Sequence, residues 1–292
     1  MGTLCHKVRP IRSAGPASAP AWATLLMMCR TTTIDGRFAM GLGAAAMASA
    51  VAIASRSGAE VTVLTASHDA TLYESATGAL AGGAGQYLFA GLSNQAPSGQ
   101  VRRSLIRFDL SGAVPSGAEI TAVRVILNLS QLNGGPADVA LHRSLSPWTT
   151  GASDPSGNEG SGALAAAGDA TWIHASFQPG GGALWNAPGG DFSAVASASA
   201  LTTGLGLYTW TSGALLQDVR SFASSPATNF GWFLIGPETQ MGVTRRFDSS
   251  ESAGVGGIVP RLEIEWTAVP GPGALALLGV VLATGRRRRN LR

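Results

Sequence analysis

The feature that most constrains the fold is a pair of alternating runs in VRRSLIRFDLSGAVPSGAEITAVRVILNL, residues 101–129. Ile106, Phe108 and Leu110 fall on one face of the first run, with Arg103, Arg107 and Asp109 mostly on the other. Gly112, Pro115 and Gly117 interrupt it, and Val123, Val125, Leu127 and Leu129 then alternate with Thr121, Arg124 and Asn128. A period of two, rich in β-branched residues and closed by turn formers, marks half-buried antiparallel strands. Gly and Pro supply backbone angles that a strand does not use. The two runs are expected to pair as a hairpin, and the same grammar recurs along the chain, so a β-sandwich is predicted.

The other segments fit this plan. EVTVLTA (60–66) reads as a first strand that gives way to a loop at His68 and Asp69. ADVALHR (137–143) reads as a strand with Val139 and Leu141 inward, and NFGWFLIGPE as a fully buried one. PRLEIEW closes the domain with Leu262, Ile264 and Trp266 inward and Glu263 and Glu265 outward. One short helix is expected near 213–223. Ser212 is its N-cap, Leu215, Val219 and Phe222 form an i, i+4, i+7 stripe, and Pro226 follows. Residues 144–192 form a long aromatic excursion, SPWTTGASDPSGNEG to LWNAPGGDF, of a length that compact domains usually keep for function.

Both ends read as targeting segments. In residues 1–59, Arg30 and Arg37 precede the apolar run FAMGLGAAAMASAVAIA and then SRSGA, the layout of a secretory signal with cleavage after Ala59 or Ala54. The segment before Arg30 is long for such a signal, which places the true start near Met28. Residues 60–267 form the sandwich domain. In residues 268–292, VPGPG leads to the apolar ALALLGVVLAT and then Arg286 to Arg289. An apolar helix of about 13 residues spans about 20 Å, short of the ~30 Å bilayer core. A cytoplasmic Arg cluster would orient it. Cys5 and Cys29 both lie in the first segment, so the mature domain is expected to have no disulfide and no thiolate metal site.

Charge narrows the function. The chain carries +3, yet residues 60–269 hold nine basic and 16 acidic residues, a net −7. That argues against nucleic acid as a partner, which calls for clustered Lys and Arg. Nor does the body contain an HExxH, a GxSxG or a nucleophilic cysteine, so no enzyme is expected.

Five ordered blocks carry a resemblance. RRSLIRFDLSGAVPSGAEITAVRVIL, PWTTGASD, GDATWIHASF…LWNAPGGDF, LLQDVRSFASSPATNFGWFLIGPE and RRFDSSES…VPRLEIEW resemble the DNRLRE (disaggregatase-related) domain over residues 61–267. That resemblance implies an all-β, antiparallel, jelly-roll-like β-sandwich of exported proteins, similar to carbohydrate-binding modules. VPGPGALALLGVVLATGRRRR resembles the PEP-CTERM sorting signal, with Gly271 where that signal usually has Glu. It implies an exosortase-type processing enzyme as a partner, transient inner-membrane anchoring by the tail, and delivery to the cell envelope or outside.

Two candidate sites follow. Trp148, Trp172 and Trp185, with Phe177 and His174, populate the excursion. Exposed aromatic rings stack on the apolar face of sugars, so they are candidates for polysaccharide binding. The competing expectation is that they fold the excursion onto the sandwich, because Trp is mostly buried. Asp69, Asp248 and Glu251 belong to segments that a jelly roll brings to one edge, which makes them candidate calcium ligands toward the 6–8 oxygens the ion takes. The reading that results is an exported, non-catalytic, polysaccharide-binding module. The alternatives are a polysaccharide-degrading enzyme, or a structural surface or matrix protein.

Overall fold

The computed structural model describes residues 58–95 and 101–269. Apart from residues 58–59 and 268–269, the signal and the tail lie outside the described residues, and so does their processing. The described residues form an all-β, antiparallel, jelly-roll-like sandwich with one α-helix. In order, the strands are β1 (Ala59–Tyr73), β2 (Leu80–Gly82), β3 (Tyr87–Leu92), β4 (Val101–Phe108), β5 (Glu119–Asn133), β6 (Ala137–Arg143) and β7 (Ala163–Leu164). They continue as β8 (His174–Gln178), β9 (Gly181–Leu184), β10 (Ala198–Thr202) and β11 (Gly206–Trp210). Helix α1 (Gly213–Ser224) precedes β12 (Trp232–Ile235), β13 (Val243–Asp248) and β14 (Arg261–Thr267). No helix among the described residues is long and apolar enough to cross a membrane.

Two long strands turn the corners of the sandwich. Residues Ala59 to Thr65 of β1 pair with β14, whereas Ala66 to Tyr73 pair with β4, and a register shift between Ala66 and His68 marks the bend. A bulge of this kind adds twist and lets one strand serve two sheets. The strand therefore runs through His68 and Asp69, where a loop was expected, and Asp69 is buried within it. Strand β5 likewise pairs β14 with its first half, β13 with its end, and β11 along the other edge.

The expected hairpin between residues 101–110 and 119–129 does not form. β4 hydrogen-bonds to β1, β3 and β12, while β5 pairs β11, β13 and β14. The connection at 109–118 is longer than a tight turn. It lets the two strands lie in different layers of one core, to which Ile106 and Phe108 contribute from one side and Val123, Val125 and Leu127 from the other. The alternation revealed the inward faces correctly but carried no information about which strand was the neighbour.

The inter-sheet core also takes Trp210, Trp232, Phe247, Leu262 and Ile264, and the helix contributes Leu215, Val219 and Phe222. Ser212 caps that helix as expected, its Oγ accepting the Leu215 N–H at 2.9 Å. A second core lies on the outer face of the β1–β4–β12 layer and contains Ala70, Leu72, Leu105 and Phe233. Strand β12 is thus apolar on both faces: Trp232 and Leu234 point to one core, Phe233 to the other. The opposite layer faces water with an ion ladder, Arg124 lying 2.6 Å from Glu265 and 3.7 Å from Glu263.

Candidate functional site

The excursion covers the second core. Trp148, Trp172, His174 and Trp185 are each no more than 9% exposed. Trp148 donates Nε1–H to Phe230 O at 2.7 Å and Trp185 donates to Thr171 O at 2.8 Å. The ring of Trp185 meets Phe233 in a T-shaped contact at 5.7 Å. Arg103 lies over Trp172 at 4.8 Å, held there by Glu238 through two contacts of 2.7 and 2.8 Å. His174 Nδ1 is 3.0 Å from Thr171 Oγ1, and its ring abuts Phe177.

These rings do not form the open stacking platform the sequence suggested; they are the lid of a core. The cause is the two-sided apolar layer beneath them, which has to be covered. Local chemistry folds the lid. Asp191 gathers the backbone N–H of Asn186 and the Oγ–H of Ser146, closing the NAPGGD loop. Gly190 passes so close to Phe233, at φ 103°, that a Cβ would overlap the ring.

The three candidate calcium ligands do not make one cluster. Asp69 accepts the Ser250 N–H at 2.9 Å and adjoins Glu251. Burial first, and Glu251 second, push its carboxyl up to about 8. Asp248 instead accepts from Asn128 Nδ2 at 2.7 Å and from the Ile258 N–H at 2.9 Å. Among the described residues, no group of three or more His, Cys, Asp or Glu is placed to hold a metal ion.

A different site emerges where the far ends of β3, β4, β5 and β13 converge. It is an open cleft of about 380 Å³, within the range of ligand sites. Its walls carry five carboxamides, those of Asn94, Gln95, Gln131, Asn133 and Asn158, together with Arg102. The hydroxyls of Ser93 and Thr244, the ring of Phe89 and the backbone of Gly160 and Gly242 add to the wall, and among the described residues no carboxylate lines it.

Part of this wall is fixed. Arg102 is 3% exposed; it donates to Gln95 Oε1 at 2.6 Å and to Gly160 O at 2.9 Å, with Tyr73 beneath it at 5.0 Å. Gln95 Nε2 in turn donates to Ser161 Oγ, and Asn133 Nδ2 to Thr244 Oγ1, each at 3.2 Å. The backbone under Gly160 is held by Glu159, which adopts φ 59°. Its carboxylate accepts the N–H groups of Gln86 and Tyr87, while its carbonyl accepts from Tyr73 Oη.

The rest of the wall is open. Asn94, Gln131 and Asn158 make no side-chain hydrogen bond among the described residues, so their donors and acceptors face water. A carboxamide offers both an acceptor oxygen and two N–H donors, the pairing that vicinal hydroxyls require. Sequence reading missed this site because its residues come from five separated segments, four of them at or near strand ends and the fifth, with Asn158 and Gly160, a turn of the excursion. The one local signal was Asn133-Gly134, a turn pair that marks where β5 stops.

The fold and the cleft together define a β-sandwich module with a polar, amide-lined end. Set against known proteins, the chain matches no family model and no curated sequence.

Proposed function

We propose that the protein is an exported, non-catalytic module that binds polysaccharide in the amide cleft and is sorted to the bacterial cell envelope or extracellular matrix. The observation that carries the reading is the convergence of five carboxamides, three of them without a side-chain hydrogen-bond partner among the described residues, on one open cleft. Such a surface exchanges water for sugar hydroxyls one for one, which suits a polyol far better than an apolar ligand.

The export half of the proposal rests on residues 1–59 and on the PEP-CTERM-like tail from 268 to 292. The sandwich fits that role in one respect. Ala59 at the start of β1 pairs with Thr267 at the end of β14, and Glu119 lies beside them, whereas Asn133 of the cleft is at the other end of β5. A strand of 15 residues spans up to about 45 Å, so a domain held by either flank presents its cleft away from the attachment.

A glycan array probed with the purified full-length chain tests the proposal. Replacing Gln131 and Asn133 together with Ala is expected to lower the affinity for any neutral glycan hit by about tenfold or more. An array without neutral hits, or neutral hits that the double substitution leaves unchanged, would refute binding in the cleft.

A further inference from the structure

A second cleft, of about 300 Å³, opens where β1 and β4 emerge from beneath the excursion, and Ser67, His68, Arg107, Asp109, Ser111 and Pro226 line it. His68 and Arg107 are cross-strand neighbours. Trp148 positions both: its face lies under the Arg107 guanidinium at 5.5 Å and its ring meets His68 in a T-shaped contact at 6.5 Å.

Arg107 stands apart from the other eight arginines of the described residues. Each of those hydrogen-bonds through its guanidinium or lies within 4.0 Å of a carboxylate. The Arg107 guanidinium does neither, although it is partly desolvated. Burial lowers the Arg107 pKa and Asp109 opposes that shift. Five N–H donors on a rigid fork, half-removed from water and held on an aromatic face, are suited to a planar carboxylate. One His68 ring nitrogen, Nδ1, contacts Ser67 Oγ at 3.1 Å, and the other has no partner among the described residues. Asp109 is exposed, with Oδ1 accepting the Ser111 N–H at 2.9 Å.

We infer that this cleft binds an acidic sugar unit, its carboxylate held by Arg107 and His68 and its hydroxyls donating to Asp109. A bare anion would meet the Asp109 carboxylate, and a neutral sugar would leave the guanidinium unmatched. A uronate ring carries a carboxylate and vicinal hydroxyls together, so it satisfies both sides. The inference takes from the preceding section the idea that the ligand is a glycan, but it does not depend on the amide cleft, which lies at the other end of β4.

The site carries its own pH response. The groups facing His68 are Ser67 on its own strand, Arg107 on β4, Asp109 just beyond the end of β4, and Trp148 of the excursion. Burial and the Arg107 charge lower its pKa, with Asp109 acting against them, so the imidazole of the free protein is neutral at pH 7. An incoming carboxylate adds a negative charge beside it, and His68 takes up a proton on binding.

Titration of the full-length chain with oligogalacturonate, and with the same oligomer carboxyl-reduced to galactose units, tests the site. The acidic oligomer is expected to bind more tightly at about pH 5.5 than at about pH 8, and the reduced one at least about tenfold more weakly. Arg107→Gln removes the preference, Arg107→Lys retains part of it, and His68→Asn flattens the pH response. In the wild-type chain, the His68 imidazole followed by NMR shows a raised pKa once the acidic oligomer is bound. Equal affinity for the two oligomers, no binding of either, or an unmoved His68 titration overturns the inference and leaves the amide cleft to its own test.

Discussion

Replacing Asp69 with asparagine is expected to stabilise the protein at alkaline pH and to leave its stability in acid nearly unchanged. Asp69 sits in the middle of β1, 1% exposed, with a carboxyl pushed from 3.8 up to about 8 by burial and then by Glu251. Between those two values the folded protein holds a proton that the unfolded chain has lost. Unfolding therefore becomes easier as pH rises. The contribution is complete below about pH 4 and is lost as pH climbs through about 8. About four pH units at about 1.4 kcal/mol each set an upper limit of about 6 kcal/mol. Glu251 is exposed and can turn its charge to water, so the expected loss is about 2–4 kcal/mol. An asparagine keeps an acceptor for the Ser250 N–H, donates to Glu251 and does not titrate. Guanidinium unfolding followed by tryptophan fluorescence at about pH 4, 6 and 8.5 reads both curves. The wild type should decline while Asp69→Asn stays level, the two separating only above about pH 5. Two parallel curves across the range would refute a buried, protonated Asp69.

Three further outcomes follow from other contacts. Gly190→Ala places a Cβ against the Phe233 ring at a positive φ and is expected to cost about 2–4 kcal/mol, read as a fall in Tm. Ser212→Ala removes the N-cap of α1 together with a hydroxyl bond to Ser197 O; its expected cost is about 1 kcal/mol, or about 2–4 °C in Tm. Replacing Arg286 to Arg289 with Ser should let the tail pass the inner membrane, so that fractionation finds the full-length chain outside. Wild-type protein intact in the inner membrane at steady state would speak for a retained anchor instead.

The sequence by itself determined what depends on periodicity and local chemistry. The inward faces of β5, β6 and β14, the helix with its Ser212 cap and its Leu215–Val219–Phe222 stripe, and the burial of Trp232 and Trp266 were all legible, because each follows from neighbours a few residues away. Strand pairing was not. The 101–110 and 119–129 runs look like a hairpin because alternation fixes a face but not a partner, and only the assembled sandwich sets them in opposite layers. The same limit hid the passage of β1 through His68 and Asp69. Polar residues there read as a loop, yet a corner strand changes neighbours at that point, and the Ser250 N–H arrives from far along the chain to accept the burial of Asp69. Tertiary structure also decided the roles of the tryptophans, since a sheet apolar on both faces needed a lid and the excursion supplied it. The amide cleft and the Arg107 cleft were decided there too. Their side chains are ordinary in sequence, and only the convergence of distant segments gives them a common surface.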